Sequence, residues 1–199
     1  MKSRTFLAVA LATAVVSASA VLALEIGDAV PSGDVKMKNV DNSEVTLAEA
    51  MGPKGLLVVF SCNHCPWVQR WESRIVELGN TYRAKGIGVV AVNSNDTVEY
   101  PDDSFEHMQA RAREKGYGFP YVVDATSGVA RAFAASKTPE AFLFDAQGKL
   151  VYTGTVDDNA KDASAVTAAY LKDALEAVAT GKPVTTARTK ALGCSIKLR

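Results

Sequence analysis

Apolar residues along this chain follow two alternating patterns, short continuous runs and longer stretches at helical spacing. The run at 56–60 is continuous and the stretch at 88–93 is apolar up to its last residue, Asn93; such short runs favour strands that are buried on both faces of a sheet. Between them, apolar residues recur every three or four positions over 68–82. This spacing predicts a helix that begins at Pro66 and ends near Lys85.

The remaining stretches extend the same pattern, with a polar loop at 94–103. Strands are predicted at 35–37, 44–46, 121–123, 141–144 and 150–153, and helices at 104–115 (capped by Asp103 or Ser104), 127–134 and 166–178. Strands that alternate with helices pair in parallel, whereas the first and last strand pairs form antiparallel hairpins. The predicted class is α/β, a thioredoxin-like fold with a mixed central sheet, helices on both faces and an N-terminal β-hairpin extension.

The first residues have the layout of a secretory signal peptide. Lys2 and Arg4 precede an uncharged apolar run at 6–16, and small residues follow. Cleavage is expected after Ala20 or Ala23; the alternative is an uncleaved anchor, for which the run is short. The predicted organisation is a signal peptide at 1–23, a thioredoxin-like domain at 24–182 and a C-terminal tail at 183–199 that carries Cys194, in a periplasmic or otherwise secreted protein.

The mature chain is nearly neutral. The whole chain has 22 basic and 22 acidic residues, and the first 23 residues include two basic and no acidic ones, which leaves 20 against 22. This balance offers no general attraction to nucleic acid or anionic lipid. A chain of this length forms a hydrophobic core without disulfide staples.

Cys62 and Cys65 form a C-x-x-C motif where a predicted strand ends and a helix begins. Free amides at a helix N-terminus stabilise a thiolate, so this position suits disulfide exchange. We expect Cys62, at the exposed entrance, to be the attacking nucleophile and Cys65, one turn in, to resolve the mixed disulfide. The expected cofactor set is empty apart from the redox-active Cys62–Cys65 disulfide.

Two further positions are candidates for the same site. A protonated His64 would favour the thiolate and make the pair more oxidising; the alternative is a solvated loop residue. Thr138–Pro139 precedes a predicted strand downstream of the C-x-x-C helix, where thioredoxin-like folds place a cis proline against the cysteines. We therefore predict a cis bond, with Thr138 and Pro139 shaping the substrate groove, although X-Pro bonds are cis only ~5% of the time.

Several segments together resemble the peroxiredoxin-like (redoxin, AhpC/TSA-type) branch of the thioredoxin superfamily. They are FSCNHCPWV at 60–68, AVNSND at 91–96, YPDDS at 100–104, FPYVVD at 119–124, TPEAFLFD at 138–145 and LGCSIK at 192–197. The resemblance implies a thioredoxin fold, a redox pair at Cys62 and Cys65, a cis Pro139 and a functional C-terminal Gly-Cys segment. The chain departs from that pattern at Lys137, where members often have cysteine, and at Leu198, where many have tryptophan.

Peroxidase activity is an alternative that the motif does not favour. Peroxiredoxins use P-x-x-x-T-x-x-C, but Gly55 and Val59 occupy the proline and threonine positions relative to Cys62. Arg131 is either an active-site arginine or a solvated helix residue.

Cys194 adds a third thiol whose role the sequence leaves open. A candidate third redox cysteine, a link to another molecule and an inert buried residue are all compatible with it. Cys62, Cys65 and Cys194, with His64, also form a soft-ligand set for copper(I) or zinc. A copper-binding or copper-transfer protein is therefore a second alternative.

The strand at 56–61 contains no carboxylate to accept a proton from the resolving cysteine. Glu72 and Glu140 are candidates, and solvated positions fit both. The sequence predicts an exported thiol-disulfide oxidoreductase that acts on protein or small thiol or disulfide substrates, with an upstream thiol donor or acceptor. Neither nucleic acid nor a membrane span after signal cleavage is expected.

Overall fold

The computed structural model describes residues 23–199, so all but the last residue of the predicted signal peptide at 1–23 lies outside the described part. In that part, no helix has the length and apolar character needed to cross a bilayer. The strands are β1 (Met37–Asn39), β2 (Glu44–Val45), β3 (Gly55–Phe60), β4 (Ile87–Asn93), β5 (Tyr121–Val123), β6 (Lys137–Thr138), β7 (Glu140–Asp145), β8 (Leu150–Gly154) and β9 (Cys194–Ser195). The helices are α1 (Leu47–Ala50), α2 (Pro66–Ala84), α3 (Phe105–Lys115), α4 (Gly128–Phe133) and α5 (Tyr170–Ala179).

The central sheet is mixed, as predicted. Its strands run in the orders β2-β1-β5-β4 and β3-β7-β8, and the two groups meet where the Ser61 amide donates to the Val92 carbonyl at 2.8 Å. β4 and β5 pair in parallel, whereas β1–β2, β1–β5, β3–β7 and β7–β8 are antiparallel. Both predicted hairpins are therefore confirmed.

Alternate residues of β3 point to opposite faces of the sheet, which places a core on each side. Leu57 and Val59 pack with α2, α3 and α5, whereas Leu56, Val58 and Phe60 pack with α1 and α4. Helices lie on both faces, and β3 is fully covered. The C-x-x-C motif follows directly from this rigid central strand.

The last helix starts later than the sequence pattern predicts. We expected it from residue 166, but α5 begins at Tyr170. The difference arises because residues 167 and 168 pair with Asp158: the Thr167 amide donates to the Asp158 carboxylate at 3.0 Å, and the Asp158 amide donates to the Ala168 carbonyl at 3.2 Å. These bonds keep residues 167 and 168 out of the helix, which starts after them.

The C-terminal segment folds back onto the domain in two places. Beside β8, the Thr153 amide donates to the Ala187 carbonyl and the Thr189 amide donates to the Thr153 carbonyl, each at 3.0 Å. Further on, β9 pairs with β6 in antiparallel register, with Cys194 opposite Thr138. The second contact brings the third cysteine to the region of the cis proline.

Phe133 provides a test of the packing beneath α4. Its ring makes edge contacts with Phe60, Phe142 and Phe144, so Phe133→Ala is expected to lower the free energy of unfolding by about 3–5 kcal/mol. Chemical denaturation of the reduced protein measures this loss. Val98, which is 84% exposed, is the control, and Val98→Ala should change stability by less than about 0.5 kcal/mol. Equal losses in the two variants would contradict the assigned core.

Candidate active site

The two cysteines of the C-x-x-C motif lie between β3 and α2. Cys65 occupies the N-cap position of α2, and Pro66 is the first helical residue, where a missing amide hydrogen costs nothing. Cys62 and Cys65 are both buried, with exposures of 1% and 0%. The expectation that Cys62 is exposed is therefore wrong. The sequence pattern missed its burial because part of its cover comes from distant segments, which carry Thr138 and Cys194.

Thr138, which precedes Pro139, lies directly against the pair. The Thr138–Pro139 peptide is cis, as predicted. The Cys65 thiol donates to the Thr138 carbonyl at 3.1 Å, and Cys62 Sγ lies 3.5 Å from Thr138 Oγ1. The structure thus brings together four of the predicted site residues, which come from two segments more than 70 positions apart.

The two thiols of the pair differ in the direction of their pKa shifts. The pKa of Cys65 is lowered to about 4, chiefly because the Cys62 thiol donates to its thiolate; the Cys194 thiol and the amides of Val68 and Cys194 assist, against the effect of burial. The pKa of Cys62 is raised, because its proton is held by Cys65, because it is buried and because the Asp103 carboxylate is near. The contact with the Thr138 carbonyl belongs to the neutral Cys65 thiol. These directions favour Cys65 as the thiolate of the reduced pair, and the role of Cys62 as attacking nucleophile stays a prediction.

Asp103 is a buried carboxylate beside the cysteines that the sequence pattern did not assign to the site. Oδ1 accepts from the amides of Asn63 and His64 at 2.6 and 3.1 Å, and Oδ2 lies 2.6 Å from His64 Nδ1 and 2.7 Å from Asn95 Nδ2. Asp103 thus ties the loop after β4 to the C-x-x-C loop. The N-cap of α3 is instead Ser104. The signal that was available was the YPDDS segment, in which we interpreted Asp103 only as a candidate helix cap.

His64 is held in place by its neighbours. Its ring stacks on Tyr100, with centroids 5.4 Å apart and an 11° angle between the planes, and it pairs with Asp103. Its proposed influence on the redox pair stays a prediction. Cys62, His64 and Asp103 each offer one ligand atom, all within 4.8 Å of one another, so these residues are the structure's own candidate set for a metal ion. That set differs from the alternative ligand set of the sequence analysis, in which Cys65 and Cys194 join Cys62 and His64.

The two glutamates proposed as proton acceptors serve other contacts. Glu72 is buried, not solvated, and forms a bidentate ion pair with Arg111 at 2.6 and 2.8 Å. The Glu140 carboxylate accepts from the amides of Ser136 and Lys137 at 2.8 and 3.0 Å. Both carboxylates are engaged by partners other than the cysteines.

Two cations from the sequence analysis contact the C-terminal segment. Lys137 Nζ donates to Ser195 Oγ at 3.1 Å, so the cation predicted at this position bridges β6 and β9. Arg131 donates to the carbonyls of Thr126 and Arg199. These partners support a surface role for Arg131 in holding the chain end.

Comparison with known proteins places this geometry in a family. The thiol-disulfide oxidoreductase ResA of Halalkalibacterium halodurans is 25% identical over 119 residues, which cover 60% of this chain and 63% of that relative. The matched region is thus less than two thirds of its length. A crystal structure of an uncharacterized conserved protein from Geobacillus kaustophilus has 38% identity and a TM-score of 0.82, over 88% of this chain and 93% of that one.

The fold and family agree with the sequence resemblance. The solution structure of a thioredoxin-like protein in its oxidized form aligns with a TM-score of 0.63 at 20% identity, over 80% of this chain and 99% of that chain, and this likeness concerns the fold alone. Residues 26–153, most of the described domain, match the AhpC/TSA family. The chain therefore belongs to the AhpC/TSA family and has a thioredoxin-like fold.

Proposed function

We propose that this protein is an exported thiol-disulfide oxidoreductase that exchanges disulfides through Cys62 and Cys65. The observation that carries the proposal is the arrangement of both sulfurs at the start of α2, in contact with Thr138 before the cis proline. The name of the curated relative supports the same activity. Export rests on the signal-like pattern of residues 1–23. Protein or small-molecule thiols and disulfides are the proposed substrates, with an upstream thiol donor or acceptor.

The pair has the electrostatics of an oxidant. Oxidation to the disulfide removes two electrons and the remaining thiol proton, and it destroys the stabilised Cys65 thiolate. The contacts that lower the pKa of Cys65 therefore favour the reduced state. A stabilised reduced state makes a disulfide a stronger acceptor of electrons.

The reduction potential tests this proposal directly. Equilibration of the wild-type protein with glutathione buffers, followed by thiol labelling and mass spectrometry, should give a Cys62–Cys65 potential nearer to ~−120 mV than to ~−270 mV. Cys62→Ser and Cys65→Ser should each abolish turnover in an insulin-reduction assay coupled to a thiol donor. Failure of Cys62 and Cys65 to form a disulfide would refute the proposed activity. A potential near ~−270 mV would contradict the oxidant character.

The assignment of the thiolate to Cys65 has its own test. Thiolate absorbance in the ultraviolet should appear in the reduced protein as the pH rises through about 4, since Cys65 is protonated below its pKa and anionic above it. Cys62→Ser should keep this transition because a serine hydroxyl still donates to the thiolate. Cys65→Ser should lose it. A transition lost only in Cys62→Ser would restore Cys62 as the anionic sulfur.

Asp103 should act on Cys62 through its charge. Its four donors leave the carboxylate poorly placed to take a proton, whereas its negative charge raises the pKa of Cys62. In a background without Cys65 and Cys194, Asp103→Asn should shift the pH profile of Cys62 alkylation down by about one unit. The amide oxygen of the variant can still accept from the loop.

Asp102→Asn is the matched control for this experiment. Asp102 is the exposed neighbour, and only its backbone carbonyl contacts the loop, through Asn63 Nδ2 at 2.9 Å. The control profile should coincide with that of the parent. Slower alkylation across the whole pH range in Asp103→Asn would instead identify the carboxylate as a proton acceptor.

A further inference from the structure

The last residues of the chain form an ordered strand that covers the cysteine pair. After β9, the Ile196 amide donates to the Ser136 carbonyl at 3.1 Å, and the Lys197 amide donates to Asn95 Oδ1 at 2.8 Å. The Asp96 amide in turn donates to the Lys197 carbonyl at 2.7 Å. The segment is therefore fixed to β6 on one side and to the loop after β4 on the other.

Gly193 sets how closely this strand approaches the pair. A Cβ atom built at this position would lie 2.3 Å from the Thr138 carbonyl oxygen and 3.2 Å from the Pro139 nitrogen. No other residue type fits without displacing the backbone of one of the two segments. The contact brings the next residue, Cys194, over the N-terminus of α2.

Cys194 joins the cysteine pair in one cluster. Its side chain packs against the buried group formed by Cys62, Cys65 and Val68, and its sulfur interacts with the Cys65 sulfur and with the Trp67 amide. Cys65 thus contacts a thiol on either side. Cys62 and Cys65 are buried, whereas Cys194 is half-buried and is the most exposed residue of the three.

We propose that Cys194 is a third redox cysteine, which passes disulfides between the buried Cys62–Cys65 pair and external partners. The proposal rests on the proposed function, since it needs that pair to form a disulfide. The Cys194 thiolate attacks Cys65 Sγ, a Cys65–Cys194 bond forms and the Cys62–Cys65 bond breaks. Cys62 leaves as a thiolate and takes up the proton that Cys194 has lost. No net oxidation occurs, and the disulfide moves to the half-buried position.

An external dithiol then completes the transfer at Cys194. One of its thiolates attacks Cys194 Sγ, Cys65 leaves with the bonding electrons, and the second external thiol releases Cys194. The external pair has lost two electrons and two protons, and the protein has gained them as thiols and thiolate. Run in reverse, the same steps reduce an external disulfide.

The charges of the cluster favour attack by Cys194 in the oxidised state. In the reduced protein the pKa of Cys194 is raised to about 11, first by burial and then by the neighbouring Cys65 thiolate. When Cys65 is part of a disulfide, its negative charge is gone, and the pKa of Cys194 falls. In the second transfer, Cys65 is the better leaving group because its own pKa is low.

A peptide map of Cys62→Ser tests the internal exchange. Trypsin releases residues 55–70, which carry Cys65, and residues 191–197, which carry Cys194. After treatment of this variant with oxidised glutathione, the two peptides should be joined by a disulfide. In Cys65→Ser the first peptide carries Cys62 instead. The disulfide between the two peptides should then form at least about tenfold more slowly, because Cys65 is the sulfur that lies between the other two. Absence of the linkage in Cys62→Ser would overturn the relay.

Two glycine variants provide a matched control for the position of the strand. In the Cys62→Ser background, Gly193→Ala should slow formation of the linkage, since the added methyl pushes Cys194 away from the pair. Gly33 has no atom within 4 Å of an added Cβ, and Gly33→Ala should leave the rate unchanged. Equal rates in both variants would contradict the seating of the strand against Thr138.

Cys194→Ser tests the relay in turnover. We expect insulin reduction to fall about tenfold, while the Cys62–Cys65 potential stays at the wild-type value because serine keeps a donor to Cys65. Turnover equal to or faster than wild type would show that the strand only covers the pair, and would overturn the relay. Failure of the proposed function is a different result: the wild-type protein would form no Cys62–Cys65 disulfide at all.

Discussion

The site depends on one residue, Thr138, to which every sulfur-bearing segment is fitted. Its hydroxyl contacts Cys62, its carbonyl accepts from Cys65, and its backbone pairs with Cys194 across β6 and β9. Thr138 is itself buried, so these groups have no competing water. A single backbone position therefore fixes the spacing of three cysteines that come from different parts of the chain.

A buried charge network secures the other side of the cysteine loop. A carboxylate withdrawn from water is costly unless hydrogen bonds replace its hydration, and Asp103 receives them from Asn63, His64 and Asn95. Because the donors belong to two loops, removal of any one would leave part of the charge unsatisfied. The loop after β4 is thus an integral part of the site.

Local pattern predicted most of the fold. The apolar runs located β3 and β4, helical spacing located α2, and both hairpins and the cis bond at Pro139 are confirmed. Sequence periodicity reports which face of an element is buried, but it does not report which distant segment covers it. Cys62 was expected to be exposed for that reason, since its cover begins about 130 positions later in the chain.

The sequence pattern missed the partners of Asp103 and Glu72 for a related reason. A polar loop and a solvated helix position look the same in sequence as a buried network, because the pattern shows charge but not its partner. Asp103 was interpreted as a cap and Glu72 as solvated, although each has specific donors. Only the tertiary structure, which brings Arg111 to Glu72 and His64 to Asp103, distinguishes these cases.

A low thiolate pKa and a high susceptibility to oxidation usually occur together in a cysteine, and the burial of Cys65 separates them. A low thiolate pKa makes a cysteine prone to stepwise oxidation to sulfinic and sulfonic acids, provided that oxidants can reach the sulfur. Here the sulfur with the lowered pKa has no exposed surface, because a strand of two residues lies across it. The fold therefore shields a reactive sulfur from oxidants in solution, and the β9 segment that carries Cys194 contributes to that shield.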